Sequence, residues 1–389
     1  MSGQLVLIAG AFGHGNVGDD SIALAQCRLL REIEPEVRIV LLGGEPRRLR
    51  QTLGEDGCYL SWRSPGRVAR LVGLVRRCDA VLIGGGGLLS DRLHFYRPYV
   101  VLALVAEALR KPVMFYGVGA YPPSTITYRL MARAALGRAA AVTVRDAFSA
   151  ESIAATGLRR HAVVAADPAI TLRPPANAAV AVREDDRPLI GVSLRPMYDA
   201  PSLMPDPREL AAKLARCLDA IGDATQGRLT LFPMHFGTPD DDALFDDLVI
   251  RRMRRPVVVE LKARQRPQDV LAGIAQCDVV LGMRLHANIL AAAAGVPSIA
   301  LAYDPKIREF MRQLGAEDRV VEMAELEPDD LAGRVATLLD ERESASLRIQ
   351  ERVEKLSMAA RSCALTAARL AGCSLEAVAA RRITVGVEN

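Results

Sequence analysis

Short, β-branched apolar runs alternate along this chain with longer stretches rich in Ala, Leu and Arg. The runs are Gln4–Ala9, Val37–Leu42, Ala80–Ile83, Val113–Tyr116, Ala141–Val144 and Ala162–Ala165. Strands separated by helices pair in parallel through crossovers, and the helices then cover both faces of the sheet. Continuous apolar runs fit such doubly buried strands better than half-exposed ones. The chain is therefore predicted to be α/β. The alternation pauses at Arg173–Pro188, which holds Pro174, Pro175, Pro188 and the acidic patch Glu184–Asp186. It resumes with Leu189–Leu194, Leu229–Phe232, Val257–Glu260, Val279–Leu281 and Ser298–Ala302. Two Rossmann-like halves are expected, over residues 1–175 and 189–330, joined by a linker at 176–188. An Ala/Arg-rich helical tail, 331–389, is expected to pack across both. The 389 residues suit about two or three domains, with cores large enough to need no disulfide.

Charge and cysteine usage exclude several classes. A net charge of +4 is too small to imply a nucleic-acid partner. Cys27, Cys58, Cys78, Cys217, Cys277, Cys363 and Cys373 form no C-x-x-C pair. Scattered thiols of this kind read as small buried hydrophobes in a reducing compartment and argue against a zinc site. The start of the chain lacks a basic n-region, and no apolar stretch reaches the ~18 residues that span a bilayer. A soluble, cytoplasmic protein is expected. Two basic runs stand out locally. Arg63, Arg67, Arg70, Arg76 and Arg77 are interleaved with Val68, Leu71, Val72 and Val75, and a second run covers Arg251–Arg255. Two readings stand for them: a solvated helix face, or contact with an anionic surface at the inner face of the membrane or with a lipid-linked substrate.

Ligands of open parallel sheets bind beyond the carboxyl ends of the strands. Arg195 follows the run ending at Leu194, His235 closely follows Phe232, Arg284 and His286 follow Leu281, and Lys306 follows the run at Ser298–Ala302. In the first half, Arg145 follows Val144. Cationic and titratable groups at so many strand ends call for an anion, one bearing both carboxylate and phosphate. Arg284-Leu285-His286 is the sharpest element, because it lies where a strand turns into a helix whose amino terminus also favours anions.

The first half carries glycine-rich strand ends. Gly13-His14-Gly15-Asn16-Val17-Gly18-Asp19-Asp20 matches G-x-G-x-x-G. A dinucleotide is excluded by Asp19 and Asp20 at the helix start, which would repel a pyrophosphate, and by Arg38 where an acid is needed about 20 residues on. The loop is instead expected to bring Asn16, Gly18 and a carboxylate to the ligand, with Asp19 taking a proton from a sugar hydroxyl or else capping the helix. Gly84–Gly87, with Gly85 and Gly86 at its centre, and Gly117–Gly119 are either ligand-lining backbone or tight turns. The cluster Asp240, Asp241, Asp242, Asp246 and Asp247 reads as a solvated acidic helix start rather than a metal site. No metal or cofactor is called for, and no nucleophile elbow or P-loop occurs.

Taken together, Gly15-Asn16-Val17-Gly18-Asp19, Gly84–Asp91, Arg145-Asp146, Asp167-Pro168-Ala169, Ser193-Leu194-Arg195, Met283-Arg284-Leu285-His286-Ala287 and Tyr303-Asp304-Pro305-Lys306 resemble the polysaccharide pyruvyl transferase family. The resemblance implies a GT-B arrangement, two Rossmann-like domains facing a central cleft. It implies transfer of pyruvate from phosphoenolpyruvate onto a sugar of a cell-surface polysaccharide or its precursor, forming a ketal and releasing phosphate. It assigns donor binding to Arg145, Arg284, His286 and Lys306, which Arg195 joins by position. From the chemistry of ketal formation, His286 is expected either to give a proton to the donor's methylene carbon or to stabilise the leaving phosphate as a protonated partner, with Asp19 as the candidate base. Acceptor contacts fall to Asn16, Gly18, Asp19, Gly85, Gly86 and His235. His14 departs from the family pattern and is assigned no role. A nucleotide-sugar glycosyltransferase of the same fold and a non-catalytic carbohydrate-binding protein are the alternatives.

Overall fold

Two parallel sheets organise the chain. The computed structural model describes residues 3–62, 64–91, 96–159, 161–175, 186–197, 206–237, 241–255 and 266–373. The first sheet has seven strands, β1 (Leu5–Ala9), β2 (Arg38–Gly43), β3 (Asp56–Tyr59), β4 (Ala80–Gly84), β5 (Val113–Val118), β6 (Ala141–Val144) and β7 (Val163–Val164), in the order β3-β2-β1-β4-β5-β6-β7. The second has five, β8 (Leu189–Ser193), β9 (Arg228–Leu231), β10 (Val279–Gly282), β11 (Ser298–Ala302) and β12 (Val320–Glu322), in the order β12-β11-β10-β8-β9. Every pairing is parallel. Central strands are buried along their whole length, as in β4, β5 and β11, because helices cover both sheet faces. A fully buried Leu or Ile there contributes roughly 1.5–3 kcal/mol. The two-residue β7 ends its sheet with Val163 and Val164 exposed.

The chain forms two compact units. The first comprises residues 1–14, 22–168 and 356–389, the second 15–21 and 169–355. Each has its own core: Leu7, Val81, Ile83 and Phe115 belong to the first, and Ile190, Val192, Leu281 and Leu301 to the second. The main stretch of the first unit runs to Pro168; most of the expected linker, 176–185, lies outside the described residues, as does the run Val257–Glu260. Two pieces are assigned away from their sequence neighbours. The loop Gly15–Ser21 groups with the second unit, and the tail from Leu356 with the first, so the helix Arg342–Leu370 is divided between them.

All seven cysteines are buried, and no disulfide joins any two of them among the described residues. Among the described residues, no helix is long and apolar enough to cross a membrane.

Candidate active site

In the second unit the parallel strands end on one edge. Chain order reverses between β10 and β8, which are hydrogen-bonded neighbours, and such a reversal opens a crevice beyond the strand ends. Reading along the edge, β11 leads to Lys306, β10 to Arg284 and His286, β8 to Arg195 and β9 to His235.

The turn after β10 is held from within. Asn288, fully buried on the helix Leu285–Ala293, donates from Nδ2 to the carbonyls of Gly282 (3.0 Å) and Arg284 (3.2 Å). A side chain at Gly282 would strike that amide, its Cβ falling 2.6 Å from Nδ2. Arg284 is thereby set at the helix N-cap. Its guanidinium edge is gripped by Asp242, with Nε donating to Oδ2 at 3.0 Å and Nη2 to Oδ1. Asp242 is wholly buried and also accepts the backbone N–H groups of Met234 and His235, each at 3.0 Å. A bidentate Arg–carboxylate pair fixes the guanidinium plane as well as its position. Asp242 is therefore not part of a solvated acidic face: it anchors Arg284 and the loop that carries His235. Asp241 caps the helix Asp242–Ile250, accepting from Leu244 N at 3.2 Å, while Asp240 lies outside the described residues. Among those residues no group of His, Cys, Asp and Glu could hold a metal ion.

One turn on, Asp246 is buried, and neither of its carboxylate oxygens has a hydrogen-bond partner among the described residues. Burial first, and then the charge of Asp242, push its pKa well above the ordinary carboxylate value. Asp246 therefore keeps its proton to higher pH than an exposed carboxyl does. Because the native state holds that proton more tightly than the unfolded chain, stability falls as pH rises from about 4, the ordinary Asp pKa. Asp246→Asn, a neutral isostere, is expected to melt higher than the parent at pH 8 and to lose that gain toward pH 4. Parallel melting curves for the two proteins across this range would mean that Asp246 ionises normally.

A second cationic group forms beyond β8 and β11. Arg195, buried, donates from Nη1 to the Tyr303 hydroxyl at 2.6 Å, and its guanidinium carbon lies 4.6 Å from the Tyr303 ring centroid. Lys306 Nζ lies over the same ring at 5.7 Å and 3.6 Å from Asp304 Oδ2. Asp304 also caps the helix Pro305–Leu314, accepting Lys306 N at 3.1 Å. Tyr303 thus gathers both cations around one aromatic ring.

The early glycine loop joins this unit through backbone pairing. Asn16 bridges His235, Val17 N donates to Met234 O at 2.8 Å, and Phe236 N to Gly15 O at 2.9 Å. The helix Val17–Ile33 is capped by Asn16, whose Oδ1 accepts Gly18 N at 2.9 Å, so the cap does not fall to Asp19. Gly18 is required by contact: a Cβ there would lie 2.3 Å from His286 Nδ1. Asn16, Gly18, His235, Arg284 and His286 therefore share one neighbourhood, with Asp19 following Gly18 on the helix, and Arg195 and Lys306 meet on Tyr303. Arg145, Gly85 and Gly86 belong to the first unit. Arg145 is buried, with Nε donating to Asp146 at 3.0 Å and Nη1 3.7 Å from Asp167. Gly85 and Gly86 have φ of +92° and +71°, values that favour glycine. Gly86 O accepts Gly119 N at 2.8 Å, tying the two glycine loops together.

The model of the family described as polysaccharide pyruvyl transferase matches residues 16–305. The chain belongs to the polysaccharide pyruvyl transferase family. The matched stretch opens at Asn16 and closes at Pro305, taking in every residue gathered above except Lys306, the next in the chain. Membership of the pyruvyl transferase family makes the protein a transferase. No curated protein matches the sequence. Solved structures match the fold. UDP-GlcNAc 2-epimerase from Neisseria meningitidis, bound to UDP-GlcNAc, is 10% identical with a TM-score of 0.61, covering 94% of this chain and 100% of its own. UDP-GlcNAc 2-epimerase from Methanocaldococcus jannaschii is 11% identical, TM-score 0.55, covering 91% and 92%. ADP-heptose lps heptosyltransferase II from E. coli is 15% identical, TM-score 0.50, covering 87% and 99%. At these identities the likeness is one of fold, and the pyruvyl transferase chain is GT-B-like.

Three members of the site carry no signal of their own in the sequence. Asp242 is hidden in an acidic run, Asn288 lies within an Ala-rich helix, and Tyr303 reads as the end of a strand. Of these, only Tyr303 stands in a motif the sequence shows, Tyr303-Asp304-Pro305-Lys306, though not as the ring that gathers the cations.

Proposed function

We propose that this chain transfers the pyruvyl group of phosphoenolpyruvate to two hydroxyls of a sugar in a polysaccharide precursor, forming a ketal and releasing phosphate. The observation that carries the reading is the Asp242-held Arg284 beside His286, on the same strand edge as Arg195 and Lys306. Carboxylate and phosphate are both anions that such a set would bind. In this reading His286 gives a proton to the methylene carbon of the donor, and cationic character develops at the adjacent carbon. One sugar hydroxyl attacks that carbon and loses its proton to Asp19. The second hydroxyl closes the ring as the C–O bond to phosphate breaks, and its proton leaves as part of hydrogen phosphate. Arg145, Gly85, Gly86 and His235 are proposed as further ligand contacts.

Thermal unfolding against a ligand panel tests the donor. Phosphoenolpyruvate at ~100 times its Kd is expected to add ~2.7 kcal/mol and raise the midpoint by a few degrees. Lys306→Met should weaken that binding by roughly 1.5–3 kcal/mol, as for one charged hydrogen bond. A shift with UDP-, GDP- or CMP-sugars and none with phosphoenolpyruvate would overturn the reading in favour of a glycosyltransferase.

A further inference from the structure

The first unit carries a surface that the proposed chemistry does not use. Its helices Pro65–Arg77, Arg97–Ala108 and Ile126–Arg138 follow β3, β4 and β5 and begin near the carboxyl edge of the sheet. Their amino-terminal ends adjoin one another. Trp62 Nε1 donates to Pro98 O at 3.3 Å, and the rings of Tyr96 and Tyr128 meet edge to face at 4.8 Å. On the third helix Ile126 is 75% exposed and Leu130, one turn on, 60%. By the first helix, Trp62, Pro65, Val68, Ala69 and Val72 line a shallow groove of about 550 Å³ with Arg76 at its rim. Single exposed apolar residues are ordinary, but two apolar patches on adjoining helix ends are not.

The charge around these patches is predominantly positive. Arg67, Arg70, Arg76 and Arg77 on the first helix and Arg129 and Arg133 on the third are all exposed. Neither residues 61–77 nor residues 122–145 include an Asp or Glu. Asp91, a partly exposed carboxylate at the start of the third helix, is engaged there, accepting the backbone N–H groups of Ser124 and Thr125, each at 2.8 Å. The basic run of the second unit is different, since Arg254 and Arg255 are ion-paired with Asp219 and Asp223.

We propose that this face of the first unit docks on a bilayer surface rich in anionic phospholipid. Ile126, Leu130 and the Trp62–Val72 groove would enter the headgroup boundary, while the arginines extend their stems along it and pair with phosphates. Charge selects this occupant over a second copy of the chain: a two-fold contact would set the same arginines against each other. The glycine loops Gly84–Gly87 and Gly117–Gly119 lie on the same sheet edge, so docking would bring them close to headgroups. The proposal goes beyond the donor chemistry and does not depend on it.

The test is co-sedimentation of the full-length protein with vesicles of phosphatidylcholine alone, or mixed with phosphatidylglycerol in equal parts. Pelleting is expected with the mixed vesicles at low salt, and its loss at ~1 M salt, where charges are screened beyond ~3 Å. Arg70→Gln and Arg129→Gln should each weaken binding about fivefold, the effect of ~1 kcal/mol per basic residue at such a surface. The double variant Ile126→Ser, Leu130→Ser should weaken it about tenfold or more with an unchanged melting temperature, since both side chains are solvated. Equal pelleting on neutral vesicles, no pelleting on either, or parent-like binding by the variants would overturn the proposal. So would a dimer in analytical ultracentrifugation that the serine variant abolishes, which would give the face to a second copy.

Discussion

Replacing His286 with Gln is expected to cut turnover by roughly 10²–10⁴-fold, the contribution of a well-placed general acid, and to shift stability by less than about 1 kcal/mol. The imidazole sits at the second position of its helix against Gly18, where no Cβ fits. Gln fills similar space and keeps a hydrogen-bonding end but cannot deliver a proton, so the loss should appear in kcat and leave KM for the donor nearly unchanged. Steady-state kinetics beside a thermal melt make the check. A kcat within a few-fold of the parent would remove His286 from the proton transfer, and an equal loss in kcat and melting temperature would make it a packing residue.

Asp242→Ala should be the most damaging single change to both fold and site. The side chains of Arg284 and Asp242 are 12% and 0% exposed. Removing one partner of a buried pair leaves the other charge uncompensated, at a cost of roughly 3–5 kcal/mol. The backbone N–H groups of Met234 and His235 lose their acceptor as well. Asp242→Asn keeps an acceptor oxygen and loses the charge, so it should fall between Ala and the parent in stability while still losing the fixed guanidinium. Urea unfolding reads this as a lower midpoint at constant slope, and donor affinity should fall in step. A loss below about 1 kcal/mol for Ala would place the carboxylate in water after all.

Most strands were legible in the sequence as apolar runs. β1, β2, β4, β5, β6, β8, β9, β10 and β11 each coincide with one, as does the exposed two-residue β7. β3 reads Asp-Gly-Cys-Tyr and β12 spans only three residues. Both are edge strands, paired on one side only, so little packing pressure shapes their composition. At the site, the positions of Arg195, His235, Arg284, His286 and Lys306 follow from parallel topology alone, since strand ends share an edge. What the sequence did not disclose is pairing. An acid in an acidic run looks solvated until its partner forty-two positions away is known. In the same way, the place of Arg145 at a strand end does not reveal that Asp167, twenty-two positions on, lies against it.

The loop Gly15–Ser21 is separated in sequence from everything it pairs with. Its backbone partners are Met234, His235 and Phe236, and its tight contact is His286. Shuffling this protein with a relative at the apparent domain junction would therefore pair a foreign loop with a resident histidine. A fragment starting near Asp186 would lack the loop and leave those backbone groups unanswered. The heritable module is discontinuous, so a working chimera has to carry residues 15–21 together with the second sheet, whichever parent supplies the rest.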